Sequence, residues 1–476
     1  MRWKTLLLGL ISSIGCGGHY GGDFGATPGG VKDLTLAREL IAAGKVPPAD
    51  ALLVEAMFSE HDLALEGAPC ASTLCLRAAA GFAPEHDEAP RGFAQVGLSS
   101  TIDPATWQRP STTFIFTVDV SGSMGWGSDV SPGELSRSLL HKLTDELRED
   151  DRVAIVTYGS DIETKLALTS GAQRARVHDA IDDLSEDGST NMEDGMRRAY
   201  TLGDDAVGST EQVRVIVFTD VQPNVGATGA SEFNTLVSDA ATHDVHTTVL
   251  ALGTGIGPEV MRAMASLRGA NAFSMTDDED VEDFIADEYP WFTTPIAYGL
   301  RVNVQLENGW SIDRGLGFPA ASDEEQIGLK AETVFLSKRK GALLAAFTPP
   351  AETTTPAGLA GAFDLAYTER DGTEVHTTAP FAYDDSAIDA RGHWFAQHGV
   401  ARTTALGLLT EAMHDAAVVY SANPEAAEEI MRTAHTRYTA DAEALGDADL
   451  AVEADLSGAL LQLIVDRAAQ GTLYGL

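Results

Sequence analysis

Polar and apolar positions change their rhythm several times along the chain, and each change marks a region. Helical periodicity runs from Asp33 to Ala43 and from Ala49 to Phe58, with the breaker Gly44-Lys45-Val46-Pro47-Pro48 between them. Between Gly92 and Ile102 the pattern alternates as in a strand, and Pro104 and Pro110 mark a linker. From Thr112 to about Pro290 buried-type strands alternate with amphipathic helices. Asp151–Tyr158, Val213–Thr219 and His246–Leu252 are near-continuous apolar runs, as strands covered on both faces are. Ser131-Pro132-Gly133-Glu134 caps a helix whose Leu135, Leu139, Leu143 and Leu147 form one stripe. This predicts an α/β domain with a doubly wound, mostly parallel, Rossmann-like sheet.

Past Trp291 the pattern predicts short strands at Leu300–Leu306, Thr333–Leu336, Ala342–Phe347 and Ala362–Tyr367, with turns at Asn308-Gly309 and Asp371-Gly372. An accessory β-sandwich is expected, to which Gly92–Ile102 lends a strand, so that the α/β domain is inserted within it. Helices return in a C-terminal helical region, at Ala405–Tyr420, Pro424–Ala440 and Leu450–Arg467. The expected organisation is a signal at 1–16, a glycine-rich tether at 17–31, a helix and strand region at 32–110, the α/β domain at 111–290, the sandwich at 291–384 and helices at 385–476.

The most informative segment is Phe114–Met124, where an apolar strand ends in Asp119, Ser121 and Ser123, three oxygen-bearing side chains on alternate residues. A carboxylate and two hydroxyls at a strand's carboxyl end make half the shell of a hard divalent cation. Gly188-Ser189-Thr190-Asn191 and Asp220, which ends the run Val213–Thr219, stand where the remaining ligands belong. The bland reading of Thr190 is a capping box with Glu193.

Asp119-x-Ser121-x-Ser123 with Thr190 and Asp220 resembles the metal-ion-dependent adhesion site of von Willebrand factor type A domains. The resemblance implies Mg2+, with Mn2+ or Ca2+ as substitutes, held by the hydroxyls of Ser121, Ser123 and Thr190. Asp119 and Asp220 complete the shell directly or through water, and a partner protein's carboxylate fills an open position. With Gly44–Pro48, Asp151–Tyr158 and Asn224-Val225-Gly226, the chain resembles bacterial exported lipoproteins labelled homologues of calcium-activated chloride channels. Val221 stands where glycine is usual after Asp220, and Trp126 stands in the loop after Ser123; either narrows access to the metal.

Charge and the amino terminus refine the picture. With 71 acidic against 32 basic residues the net charge is −39, which repels nucleic acid. Arg2 and Lys4 precede the apolar run Leu6–Ile14, an export signal too short to span a membrane. Ile14-Gly15-Cys16 resembles the end of a lipobox, implying a lipid on Cys16; Ser13 stands where leucine is usual, and a plain cleaved signal is the alternative. The expected location is the bacterial cell envelope, at the outer membrane and facing the periplasm or the surface, with membrane contact only through that lipid. Cys70 and Cys75 are expected to pair, since an exported protein is oxidised and His61 alone does not complete a zinc site.

These readings predict a binding protein rather than an enzyme. A metal-dependent envelope hydrolase is the rival class, but Ser121 lacks G-x-S-x-G flanks and no motif places a histidine beside it.

Overall fold

The computed structural model describes residues 24–86, 89–127, 131–220, 229–255, 257–320 and 329–474. At its centre lies a seven-stranded sheet in the order Gly30–Val31, Asn271–Met275, Val245–Leu252, Gln212–Thr219, Thr112–Asp119, Arg152–Tyr158, Ile162–Ser170. Every adjacent pair is parallel except the last, where Ile162–Ser170 runs back against Arg152–Tyr158. Helices Pro132–Asp145, Arg174–Asp182, Met192–Ala206, Ala230–Thr242 and Pro258–Ala265 connect the strands. The apolar runs cover both faces, with Ile115, Val215 and Val217 in one core and Phe114, Phe116 and Phe218 in another. Thr112–Asp119 is flanked on either side by strands reached by opposite crossovers, so the crevice at its carboxyl end is the switch point where ligands of such sheets bind.

The second body is antiparallel. Its ten strands form one connected sheet, but the connection between halves is a single bridge, Gly25 to Ser99. One half holds Leu74–Pro84, Pro90–Ser100, Ser311–Leu316, Gly341–Thr348 and Trp394–Phe395; the other holds Gly25–Pro28, Pro295–Leu306, Lys330–Ser337, Ala360–Glu369 and Glu374–Ala382. Aromatic side chains fill the space between, as where Phe347 stacks on Phe381 with ring centroids 5.6 Å apart. Pro90–Ser100 pairs with Gly341–Thr348 over residues 92–98, so chain from before the α/β domain completes a sheet built mainly after it.

The glycine-rich segment at 17–31 is not a free tether over its described part. Gly25–Pro28 pairs with Lys330–Ser337, and Gly30–Val31 adds an edge strand to the central sheet. Glycine is needed there for close approach: a Cβ on Gly25 would stand 1.7 Å from the Arg339 carbonyl oxygen. The predicted helix at Ala49–Phe58 is also divided, into a single turn at Ala49–Ala51 and a helix at Val54–Glu60.

Helices His398–Tyr420, Pro424–Leu445 and Ala448–Tyr474 close the chain. The last is tied back to the amino-terminal helix Thr35–Ala42: Arg38 Nη2 donates to Glu453 Oε1 at 2.9 Å and to Glu60 Oε2 at 2.5 Å. Among the described residues no helix is long and apolar enough to cross a membrane.

Candidate metal centre

Asp119 closes the central strand and is fully buried. Its Oδ1 accepts the Ser121 N–H at 2.8 Å, a turn that folds the next residues over the strand end. That turn sets Ser121 and Ser123 side by side, with their hydroxyl oxygens 3.1 Å apart. On the neighbouring strand Val118 stands opposite Phe218, so the next pair is Asp119 and Thr219. Thr219 Oγ1 accordingly donates to Asp119 Oδ2 at 3.1 Å, and Asp220, also buried, follows at once.

The third loop is stitched to the first by main-chain bonds. Gly122 N–H donates to the Gly188 carbonyl at 2.8 Å, and Asp187 N–H to the Val120 carbonyl at 2.6 Å. Thr190 follows that contact and is fully buried. It is not the helix cap: Asn191 is, its Oδ1 accepting the Asp194 N–H at 3.4 Å, so the predicted Thr190 and Glu193 capping box is not what starts this helix. The structure thus gathers Asp119, Ser121 and Ser123 directly, sets Asp220 on the adjacent strand end and brings in the loop of Thr190.

Burial pushes the Asp119 carboxyl up to about 7 against the lowering effect of the Ser121 hydroxyl and amide, and the Asp220 charge adds to the push. Two buried carboxylates on adjacent strand ends repel each other, and a divalent cation between them reverses that cost. Two carboxylates with three hydroxyls are a hard oxygen set that fits Mg2+ in chemistry. Among the described residues no three His, Cys, Asp or Glu converge on a metal, so hydroxyls are an essential part of such a site.

Besides Thr219, two further partners of Asp119 were not evident from the motif. Trp126 is nearly buried, and its indole N–H donates to the Asp119 main-chain carbonyl at 3.1 Å. Its ring lies beneath the Arg137 guanidinium, 5.1 Å from the centroid, and against Gly133. Trp126 is therefore a buttress behind Asp119. Tyr158, fully buried on the other neighbouring strand, has its phenol pushed well above the ordinary value by burial and then by the Asp119 charge. Room for that ring comes from Gly195, where a Cβ would stand 2.7 Å from three Tyr158 atoms. Of the remaining sequence candidates, Cys70 and Cys75 are joined as a disulfide, while Cys16 and Val221 lie outside the described residues.

Residues 114–287 match the family model of the von Willebrand factor type A domain. The chain carries a type A domain. Over 290 residues it is 25% identical to the uncharacterized protein YfbK of Escherichia coli strain K12. That match covers 59% of this chain and 49% of YfbK, so it spans about half the length of the curated relative. Among solved structures, a von Willebrand factor type A protein from Catenulispora acidiphila superposes with a TM-score of 0.52 at 14% identity, covering 84% of this chain and 91% of that one. That likeness speaks for the fold. The ArnB paralog VWA2 from Sulfolobus acidocaldarius is similar at a TM-score of 0.43 and 14% identity, over 83% of this chain and 97% of its own. The Asp119, Thr190 and Asp220 loops all fall within the matched type A domain.

Proposed function

We propose that this chain is a binding module of the bacterial cell envelope, tethered through a lipid on Cys16, whose type A domain holds a partner protein through Mg2+. Ser121, Ser123 and Thr190 supply hydroxyl oxygens to the ion, and Asp119 and Asp220 supply charge directly or through water. The bound ion presents a Lewis-acidic position that accepts a carboxylate oxygen from an acidic side chain of the partner.

The supporting observation is the meeting of three separate loops at the carboxyl end of Thr112–Asp119, with two buried carboxylates on adjacent strands. A binding role also suits the surroundings of Ser121. Its hydroxyl stands with that of Ser123 and with the Asp119 carboxyl, and among the described residues no imidazole stands against it as a base.

Calorimetric titration of Mg2+ into the wild-type chain, Asp119→Ala and Asp220→Ala tests the reading. It predicts a single site in the wild type and none in either variant, with circular dichroism unchanged. Equal affinities in all three proteins would overturn it.

A further inference from the structure

Two neighbouring helices of the type A domain carry the same short pattern, His-x-x-x-Asp. His141 and Asp145 end the helix Pro132–Asp145, and His178 and Asp182 end the helix Arg174–Asp182. The helices exchange these groups crosswise: His141 Nε2 lies 3.2 Å from Asp182 Oδ1, and His178 Nε2 lies 3.2 Å from Asp145 Oδ1. Between them the two rings lie within 20° of parallel and meet edge to edge, with centroids 5.0 Å apart and the two Nδ1 atoms 2.7 Å from each other.

Proton counting makes this arrangement informative. An ionised carboxylate only accepts, so each Nε2 must carry a hydrogen to meet its aspartate. Each neutral ring then has its lone pair on Nδ1, and two lone pairs face one another at contact distance. Such a pair calls for a cation between its nitrogens. Burial, opposed by Asp182 and reinforced by His178 and Arg137, holds the His141 imidazolium below the ordinary histidine range and so disfavours a pair with both rings charged, whereas a metal ion meets both lone pairs without any proton.

We propose that His141 and His178 bind a divalent transition cation of the Zn2+ class through both Nδ1 atoms. Asp145 and Asp182 orient the rings from outside the shell, the arrangement in which a metal-bound imidazole donates its other N–H to a carboxylate. Nitrogens at ~2.0–2.1 Å from zinc at a tetrahedral angle stand about 3.3 Å apart. The rings must therefore spread slightly, which side chains 29% and 28% exposed can do. Water fills the other positions, because among the described residues no third His, Cys, Asp or Glu completes a cluster. The imidazole donors separate this site from the oxygen shell around Asp119, and the acidic surface favours any cation.

The test uses the full chain carrying Asp119→Ala, in excess Mg2+, titrated with Zn2+ by calorimetry and with Cu2+ by electron paramagnetic resonance. One equivalent of Zn2+ is expected, with nitrogen hyperfine structure from two imidazoles in the Cu2+ spectrum. His141→Gln or His178→Gln removes that equivalent, and Asp145→Asn with Asp182→Asn weakens it about ten-fold. Circular dichroism verifies that each variant is folded. Zinc binding unchanged in the folded double glutamine variant, or a Cu2+ spectrum without nitrogen coupling, overturns the proposal. Loss of Mg2+ binding in Asp119→Ala has no bearing on it.

Discussion

The indole N–H of Trp126 donates to the main-chain carbonyl of Asp119 at 3.1 Å, so a side chain seven residues downstream fixes the strand end on which the candidate metal centre is built. Replacing Trp126 with phenylalanine keeps the ring beneath Arg137 and removes only the donor. Trp126→Phe is expected to cost ~1 kcal/mol of stability, the worth of one buried hydrogen bond. It should also weaken Mg2+ about ten-fold, as loss of a supporting partner does. Denaturant unfolding and calorimetry on the same samples read both effects, and unchanged Mg2+ affinity would show that Asp119 needs no buttress.

Metal removal should appear as a loss of heat stability. A ligand present at a hundredfold excess over its Kd adds ~2.7 kcal/mol to folding. Chelator should therefore lower the unfolding temperature of the wild type by several degrees and leave Asp220→Ala where it was. Without metal, Asp220→Ala is expected to be no less stable than the wild type, because one of two mutually repelling buried carboxylates is gone.

Asp33, just after the edge strand Gly30–Val31, gives a pH dependence of its own. It joins the amino-terminal helix to the central sheet, its Oδ2 accepting the Ser274 N–H at 2.8 Å and its Oδ1 the Thr35 N–H at 3.2 Å. Burial pushes its carboxyl up to about 7 from 3.8, against the Ser274 bond and aided by Glu60. The folded chain thus holds this proton over a range where the unfolded chain has lost it. Stability from Asp33 is greatest below about pH 4 and falls as pH rises towards 7. The wild type minus Asp33→Asn difference, measured by urea unfolding from pH 4 to 8, should decline over that window; a flat difference would contradict it.

Arg109 and Asp151 form a buried pair at the opposite end of the sheet from Asp119. Arg109 Nη2 donates to Asp151 Oδ2, and Asp151 Oδ1 also accepts the Thr112 N–H at 2.9 Å. Asp151→Ala leaves a buried guanidinium without its counter-charge and should cost ~3–5 kcal/mol. Chemical denaturation checks this, and Mg2+ affinity in the folded fraction should not change.

Gly195 offers a steric test. A methyl group there would stand 2.7 Å from the Tyr158 ring, which is fully buried. Gly195→Ala is expected to destabilise by ~1–3 kcal/mol as overpacking does, although alanine is the better helix former. Gly195→Ala with Tyr158→Leu should recover part of the loss.

Much of the α/β domain was legible because buried parallel strands write themselves as apolar runs; Thr112–Asp119 and Gln212–Thr219 are buried throughout. Ile162–Ser170 was not, since it is an edge strand that alternates with Glu163, Lys165 and Thr169 and has no run to read. The segment at 25–31 was misread for a different reason: glycine signals flexibility in a sequence and close packing in a fold, and only the Arg339 carbonyl beside Gly25 tells them apart. In the candidate metal centre, the spacing of Asp119, Ser121 and Ser123 is local and could be read. Trp126, Thr219 and Tyr158 act on Asp119 through strand register and loop closure, which no motif records.

Gly25–Pro28 belongs to the antiparallel body and Gly30–Val31 to the central sheet, with Gly29 alone between them. A pull on the amino end is therefore shared at once by both bodies, by shear along their strands. Were the chain moored to a membrane through that end, it would behave as a stiff bracket from its first described strand onward, and tension on a held partner would load the junction of the two bodies.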